Sequence, residues 1–262
     1  MPKYAVPKEA STVVIMRPAI DIKDGPFEVL MVERHPASVF VPDCYVFPGG
    51  CIDEEDCTDE AVSFCRGLDR QKAFRILGDM PTEAMALGAW VAAVRETYEE
   101  AGIFLSADPP DPDTLAVRRR QLLDGKERFT NILKREKWTF AADRLQYFAH
   151  WITPVLSPFR YDVRFFVTVV PEDQEATHDG IELTGNIWIT PRRALAEYEH
   201  DRFNMVLPTI MTLRDLDRFE SVEAVMAAAA AKTVPSILTT IEERDGRLVE
   251  MMPDGKTFSP CL

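Results

Sequence analysis

Arg95-Glu96-Thr97-Tyr98-Glu99-Glu100-Ala101-Gly102-Ile103 packs three carboxylates into five positions, just ahead of a glycine. Glu96 lies three residues from Glu99 and four from Glu100, so a helix would carry all three on one face. Two like charges ~4 Å apart repel by about 1 kcal/mol in water and by about 4 kcal/mol at an effective dielectric of 20. Leu87, Trp90, Val91, Val94 and Tyr98 follow helical spacing on the other side, so the helix must pack against a core. Gly102 is placed to end it in a left-handed C-cap. Arg95 and Glu99 form an i, i+4 pair that steers one carboxylate and leaves the others free. A bare acidic run is commonly a solvated face; at a defined corner of a fold, a hard divalent cation turns such repulsion into binding.

Upstream, Tyr45-Val46-Phe47-Pro48-Gly49-Gly50 reads as a short strand entering a glycine loop, where backbone can approach a ligand closely. The two segments together resemble the Nudix box, G-x5-E-x7-R-E-U-x-E-E-x-G-U with U apolar. The second half fits at eight of nine positions, Thr97 standing where an aliphatic residue is usual. The spacing departs further: residues 51–94 separate the glycines from Arg95, about 31 more than the pattern has. Leu87 occupies the place of the first box Glu, and Glu83 is the nearest candidate to replace it. The split box is similar to one branch of the superfamily, the peroxisomal coenzyme A diphosphatase type and its bacterial relatives. Trp151-Ile152-Thr153-Pro154, Arg160 to Phe166, Leu207-Pro208 and a hairpin around Asp245-Gly246 extend that likeness along the chain.

The resemblance implies an α/β fold, an α/β/α sandwich around a mixed sheet, carrying helical insertions and a C-terminal extension. It implies hydrolysis of a phosphoanhydride in a nucleoside diphosphate linked to another group, with Mg2+ as cofactor and Mn2+ as a substitute. Glu96, Glu99 and Glu100 are the expected ligands and catalytic carboxylates, joined by the Gly49 carbonyl. Glu182, six residues before Trp188, is a further expected metal ligand. Arg95 is expected to orient a box glutamate. Gly50, Arg34 and Arg160 are expected beside the substrate, although strand-end arginines, Arg164 included, are commonly structural. Coenzyme A or acyl-coenzyme A is the first substrate candidate; ADP-ribose and dinucleotides follow. A non-catalytic nucleotide-binding module is the alternative that the displaced first Glu favours.

A net charge of −13 over 262 residues argues against nucleic-acid binding, which needs a basic face, and obliges an anionic substrate to be drawn in by metal and local arginine. The cysteines at 44, 51, 57, 65 and 261 are odd in number and form no C-x-x-C, so neither a zinc site nor a disulfide framework is expected. The N-terminal residues lack a signal-peptide apolar stretch, Pro260-Cys261-Leu262 is not a peroxisomal address, and the apolar run 224–231 is too short to span a bilayer. The expectation is a cytoplasmic protein without a membrane partner.

Strands are expected at 11–17, 27–34, 44–48, 146–153, 162–170 and 187–189, and the box helix at about 82–101. Insertions fall at about 51–80, acidic and solvated at first, and about 106–140. The second holds a helix capped by Asp113, running to Leu123, and another over 126–136. Its basic residues, Arg118, Arg119, Arg120, Lys134, Arg135 and Lys137, make either a solvated face or a cap over substrate phosphates. His178 is expected as loop surface or as an aid to proton transfer. The hydrolase domain is expected over 1–200 and the extension, helices followed by a hairpin, over 201–262. That extension either covers the core or builds a homodimer.

Overall fold

The computed structural model describes residues 4–38, 41–244 and 246–258. The chain runs β1 (Lys8–Pro18), β2 (Phe27–Arg34), β3 (Tyr45–Val46), β4 (Gly49–Cys51), α1 (Asp59–Ser63), β5 (Cys65–Arg66), α2 (Arg70–Leu77) and α3 (Glu83–Ala101). It continues through α4 (Pro112–Leu123), α5 (Phe129–Glu136), β6 (Phe140–Ala141), β7 (Gln146–Ile152), β8 (Tyr161–Val169), β9 (Leu183–Ile189) and α6 (Pro191–Glu199). It closes with α7 (Leu207–Leu216), α8 (Val222–Ala231), β10 (Ser236–Leu238), β11 (Thr240–Arg244), β12 (Arg247–Met251) and β13 (Thr257–Phe258).

The main sheet orders its strands β10-β7-β8-β1-β2-β3, with β4 on β1 and β9 on β2. Pairings of β1 with β8 and of β10 with β7 are parallel; the others are antiparallel. Val13-Val-Ile-Met16 reads as a continuous apolar run because both faces are covered. Val13 and Ile15 point to the core under α3, with Leu30, Trp90, Val94 and Phe166. Val14 and Met16 point to the opposite core, with Met31, Phe165, Leu213 and Val225, beneath α6, α7 and α8. That alternation is the α/β/α sandwich.

One edge of β1 is shared. Ala10–Thr12 pair with β4 and Met16–Pro18 pair with β2, so the two strands splay and β3–β4 fill the fork. Gly49 and Gly50 therefore lie in a strand, not in a loop as expected. Close packing makes them glycines: a Cβ at Gly49 would stand 2.3 Å from the Ser11 carbonyl oxygen.

Several boundaries differ from expectation. Helix α4 starts at Pro112, and its cap is Asp111, whose carboxylate accepts from the Thr114 N–H at 2.9 Å; proline at the first position suits that start. Helix α5 begins at Phe129, not 126, because Gly125 is left-handed and the Lys126 N–H turns back to the Gln121 carbonyl. The two insertions join one another: β5 pairs with β6, the Thr130 hydroxyl donates to Glu55, and Lys134 meets Glu60 at 2.8 Å.

Residues 201–258 furnish α7 and α8, which cover the second face of the sheet, and β10, which adds to its edge. β11 and β12 make the hairpin; its expected turn residue Asp245 lies outside the described residues. Among the described residues no helix is long and apolar enough to cross a membrane.

Candidate active site

Helix α3 is built to hold its acidic end still. Thr82 caps the start, accepting from the Met85 N–H, and Gly102 closes the finish at φ 70°, its N–H donating to the Tyr98 carbonyl. Almost every position from Ala86 to Ala101 is buried. Thr97, the off-pattern residue, is fully buried and donates to the Ala93 carbonyl at 2.7 Å, which satisfies its hydroxyl within the helix. Leu87 fills the core instead of offering a carboxylate.

Arg95 is the hub. Its Nε and Nη2 donate to both oxygens of Asp56 at 3.0 and 2.8 Å, and Nη2 also reaches the Cys51 carbonyl at 3.0 Å. Nη1 donates to Glu96 at 2.7 Å and to Glu99 at 3.4 Å. One guanidinium thus ties the first insertion, the end of β4 and two box carboxylates together. The i, i+4 contact with Glu99 is the longest of these, and Arg95 holds Glu96 as well, where the pair was expected to steer one carboxylate and leave the others free.

Asp56 is the residue that sequence reasoning missed. It lies in the acidic run assigned to solvent, yet it is only 2% exposed. Burial raises its carboxyl against the pull of Arg95. Glu83, the candidate for the displaced box Glu, is exposed in the first turn of α3. Thirteen residues at 1.5 Å each put it about 20 Å along the axis from Glu96. No signal short of the fold links Asp56 with Arg95, 39 residues apart.

Glu100 is buried and accepts the Gly49 N–H at 2.8 Å. Burial first, then the Glu96 charge, pushes its carboxyl well up, and Arg34 and Glu182 are near enough to act on it in opposite senses. The fold therefore brings Gly49, Glu96, Glu99, Glu100, Arg34 and Glu182 to one cleft of about 450 Å3. Gly50 lines it too: a Cβ there would stand 2.3 Å from the Glu96 Oε1. Gly50→Ala is accordingly expected to displace the Glu96 carboxylate and weaken the binding of a divalent cation at these carboxylates roughly 10- to 100-fold, measured by an Mg2+ titration.

Arg160 does not join the site. It donates to the Thr153 and Ala5 carbonyls at 3.1 and 2.8 Å, bracing the chain before β8. Arg164 is buried among Glu9, Asp79 and Asp162. The basic insertion does not reach phosphate through its paired members: Arg118 meets Glu136, Arg135 meets Glu127, and Arg119 donates to the Glu99 and Glu100 carbonyls. Arg119 thereby neutralises the negative end of the helix. His178 lies beside α4 and outside this cleft, its backbone N–H bound to Asn186.

The carboxylates are hard oxygen donors, with Arg95 and Arg34 as countercharges. As placed, they do not converge into a closed shell of three ligands among the described residues, because Glu96 faces Arg95 and Glu100 faces the Gly49 N–H. Mg2+ needs only one or two carboxylates and keeps several waters, so the donor set fits it. The metal-free protein has a measurable signature. Burial pushes Glu99 up to about 7, with Glu96 adding to the rise and Arg95 opposing it. The unfolded chain releases that proton near 4.5. Between the two values the folded chain binds the extra proton, so stability is full below 4.5 and falls as pH rises through about 7, by at most about 3 kcal/mol. Thermal unfolding in chelator is expected to show a lower Tm at pH 8 than at pH 5, and Glu99→Gln is expected to reduce the difference, the raised Glu100 and Asp56 carboxyls keeping the rest.

A mixed sheet forked around two glycines, facing an R-E-x-x-E-E helix end, is Nudix architecture. Residues 7–216 match the NUDT19 Nudix domain, and the chain belongs to that family. It is 25% identical over 236 residues to the acyl-coenzyme A diphosphatase NUDT19 of Xenopus laevis, covering 74% of this chain and 60% of that protein. The chain thus spans less than two thirds of that relative's length. The Gallus gallus protein of the same name is 22% identical, with 88% and 73% covered. A solved NUDIX hydrolase from Alicyclobacillus acidocaldarius superposes with a TM-score of 0.67 at 27% identity, covering 85% of this chain and 96% of that one.

Proposed function

We propose that this protein is a Mg2+-dependent diphosphatase acting on coenzyme A or acyl-coenzyme A, releasing phosphopantetheine, or its acyl form, and 3′,5′-ADP. The observation that carries the reading is the polarity of the cleft. Glu96, Glu99, Glu100, Glu182 and Arg34 share a cleft that also has apolar walls, among them Trp151, Pro154, Phe165 and Leu207. The relatives named for acyl-coenzyme A support the substrate class.

Glu96, Glu99 and Glu100 would hold the metal, with Glu182 and the Gly49 carbonyl beside them. A bound divalent cation screens phosphate charge and makes a bound water more acidic. Arg95 sets the Glu96 carboxylate and acts as a positioning residue. The Gly49 N–H sets Glu100. Arg34 presents its guanidinium to phosphate oxygens, which the net charge of −13 otherwise repels. Phe165 and Trp151 give the cleft an apolar lining. The extension after residue 200 would complete this cleft, since residues 206–209, Thr239, Ile241 and Glu250 line it.

The test is incubation with Mg2+ and coenzyme A, octanoyl-coenzyme A, ADP-ribose, NADH and sugar nucleotides, with products identified by mass. Phosphopantetheine plus 3′,5′-ADP is expected from coenzyme A. Preferential turnover of ADP-ribose or NADH would move the substrate to dinucleotide chemistry. No turnover with any metal, Mn2+ included, would overturn the enzyme reading in favour of a nucleotide-binding module.

A further inference from the structure

The family match ends at residue 216, yet the cleft does not. Thr239, Ile241 and Glu250 line it from the C-terminal hairpin. Their position is firmly held. β10 is laid parallel on β7, with Ile237 opposite Trp151, Met252 packs into the second core, and Arg214 of α7 stands over the Phe258 ring at 5.5 Å. Ile241 and Glu250 are directly opposed across β11 and β12, so they present one face.

Glu250 is out of place on an apolar wall. One carboxylate oxygen accepts the hydroxyl of Thr239, itself 2% exposed. Among the described residues, the second oxygen has no hydrogen-bond partner. Burial raises the carboxyl, and no basic side chain among the described residues pairs with it. Half-buried at the cleft wall, this oxygen is open to a donor that arrives in the cleft. A carboxylate here repels phosphate, so this wall cannot serve the diphosphate end. The charges orient the occupant: phosphate toward Arg34 and the cation that the box carboxylates would hold, a neutral donor-bearing segment toward Glu250.

We propose that the hairpin is the specificity wall of the cleft, with Glu250 accepting an amide N–H from a neutral, apolar arm attached to the diphosphate and Ile241 packing against that arm. This rests on the diphosphatase reading for its substrate, since the pantetheine arm of coenzyme A has that chemistry. Thr239 holds the acceptor in place and is a positioning residue.

Calorimetry with the two halves of coenzyme A separates the claims. Pantetheine alone is expected to bind the full chain, and Glu250→Leu to weaken it about tenfold, the loss of one hydrogen bond to a charged acceptor. Glu250→Gln, which keeps a carbonyl acceptor, is expected to stay within about threefold. Binding of 3′,5′-ADP with Mg2+ is expected to be unchanged in both. In turnover, Glu250→Leu is expected to raise KM for coenzyme A by the same tenfold with kcat within about twofold. Ile241→Trp, whose fold is checked by thermal unfolding, is expected to weaken pantetheine as well. Equal losses for pantetheine and 3′,5′-ADP, a fall in kcat without KM, or a wild-type protein blind to pantetheine would each overturn the assignment. A wild-type protein that binds pantetheine but never cleaves coenzyme A would overturn the diphosphatase reading and leave the arm site standing.

Discussion

Glu100→Gln is expected to lower Mg2+-dependent hydrolysis about a thousandfold or more while raising the thermal stability of the metal-free protein. The side chain is buried, accepts the Gly49 N–H, and is crowded by Glu96. Glutamine keeps an oxygen for Gly49 but removes the charge, and so both the desolvation cost and the repulsion. The same charge is what would bind the metal and screen the transferring phosphoryl group, and removing one such electrostatic element typically costs 10²–10³ or more in rate. Stability and activity should therefore move in opposite directions. Steady-state rates and melting curves in chelator check this together. Full activity in the variant would remove Glu100 from the site.

The second large effect is expected at Asp56. Asp56→Ala leaves the Arg95 guanidinium buried without its bidentate partner, a loss of about 3–5 kcal/mol. Urea unfolding should show the midpoint fall, with turnover falling as well because Arg95 would be drawn further onto Glu96 and Glu99. Asp56→Asn should be milder, since the amide oxygen still accepts one bond. Replacing the pair together, Asp56→Leu with Arg95→Met, should recover much of the stability without recovering turnover. A wild-type urea midpoint for Asp56→Ala would mean that Arg95 is held by its other partners alone.

The parts legible in the sequence are those written in local spacing. The α3 acidic face, its Gly102 cap and the run 27–34 of β2 depend on residues near one another. The family resemblance supplied the sandwich and the gathering of residues 49, 50 and 96–100. What was illegible depends on distance. Asp56 looks like any solvated acid until the insertion folds over Arg95. Arg160 looks like a phosphate ligand until its donors are seen on the Thr153 and Ala5 carbonyls. Arg119 looks like part of a cationic cap until it is found on the last carbonyls of α3. In each case the deciding partner is a backbone group or a remote side chain, which composition and periodicity do not encode. The glycines illustrate the same limit: their flexibility suggests a loop, whereas lack of a Cβ is what β4 uses.

The short strand β10 has a bearing on how the chain can be shortened. It occupies the outer flank of β7, so a polypeptide stopped at residue 216 would leave that flank a row of unpaired N–H and C=O groups beside Trp151 and Phe148. Bare edges of this sort recruit strands from other molecules. A truncated protein would thus be prone to self-association and precipitation. Its failure in solution would then reflect a lost guard strand together with the apolar face bared by the loss of α8, with α3 and its carboxylates still present in the chain.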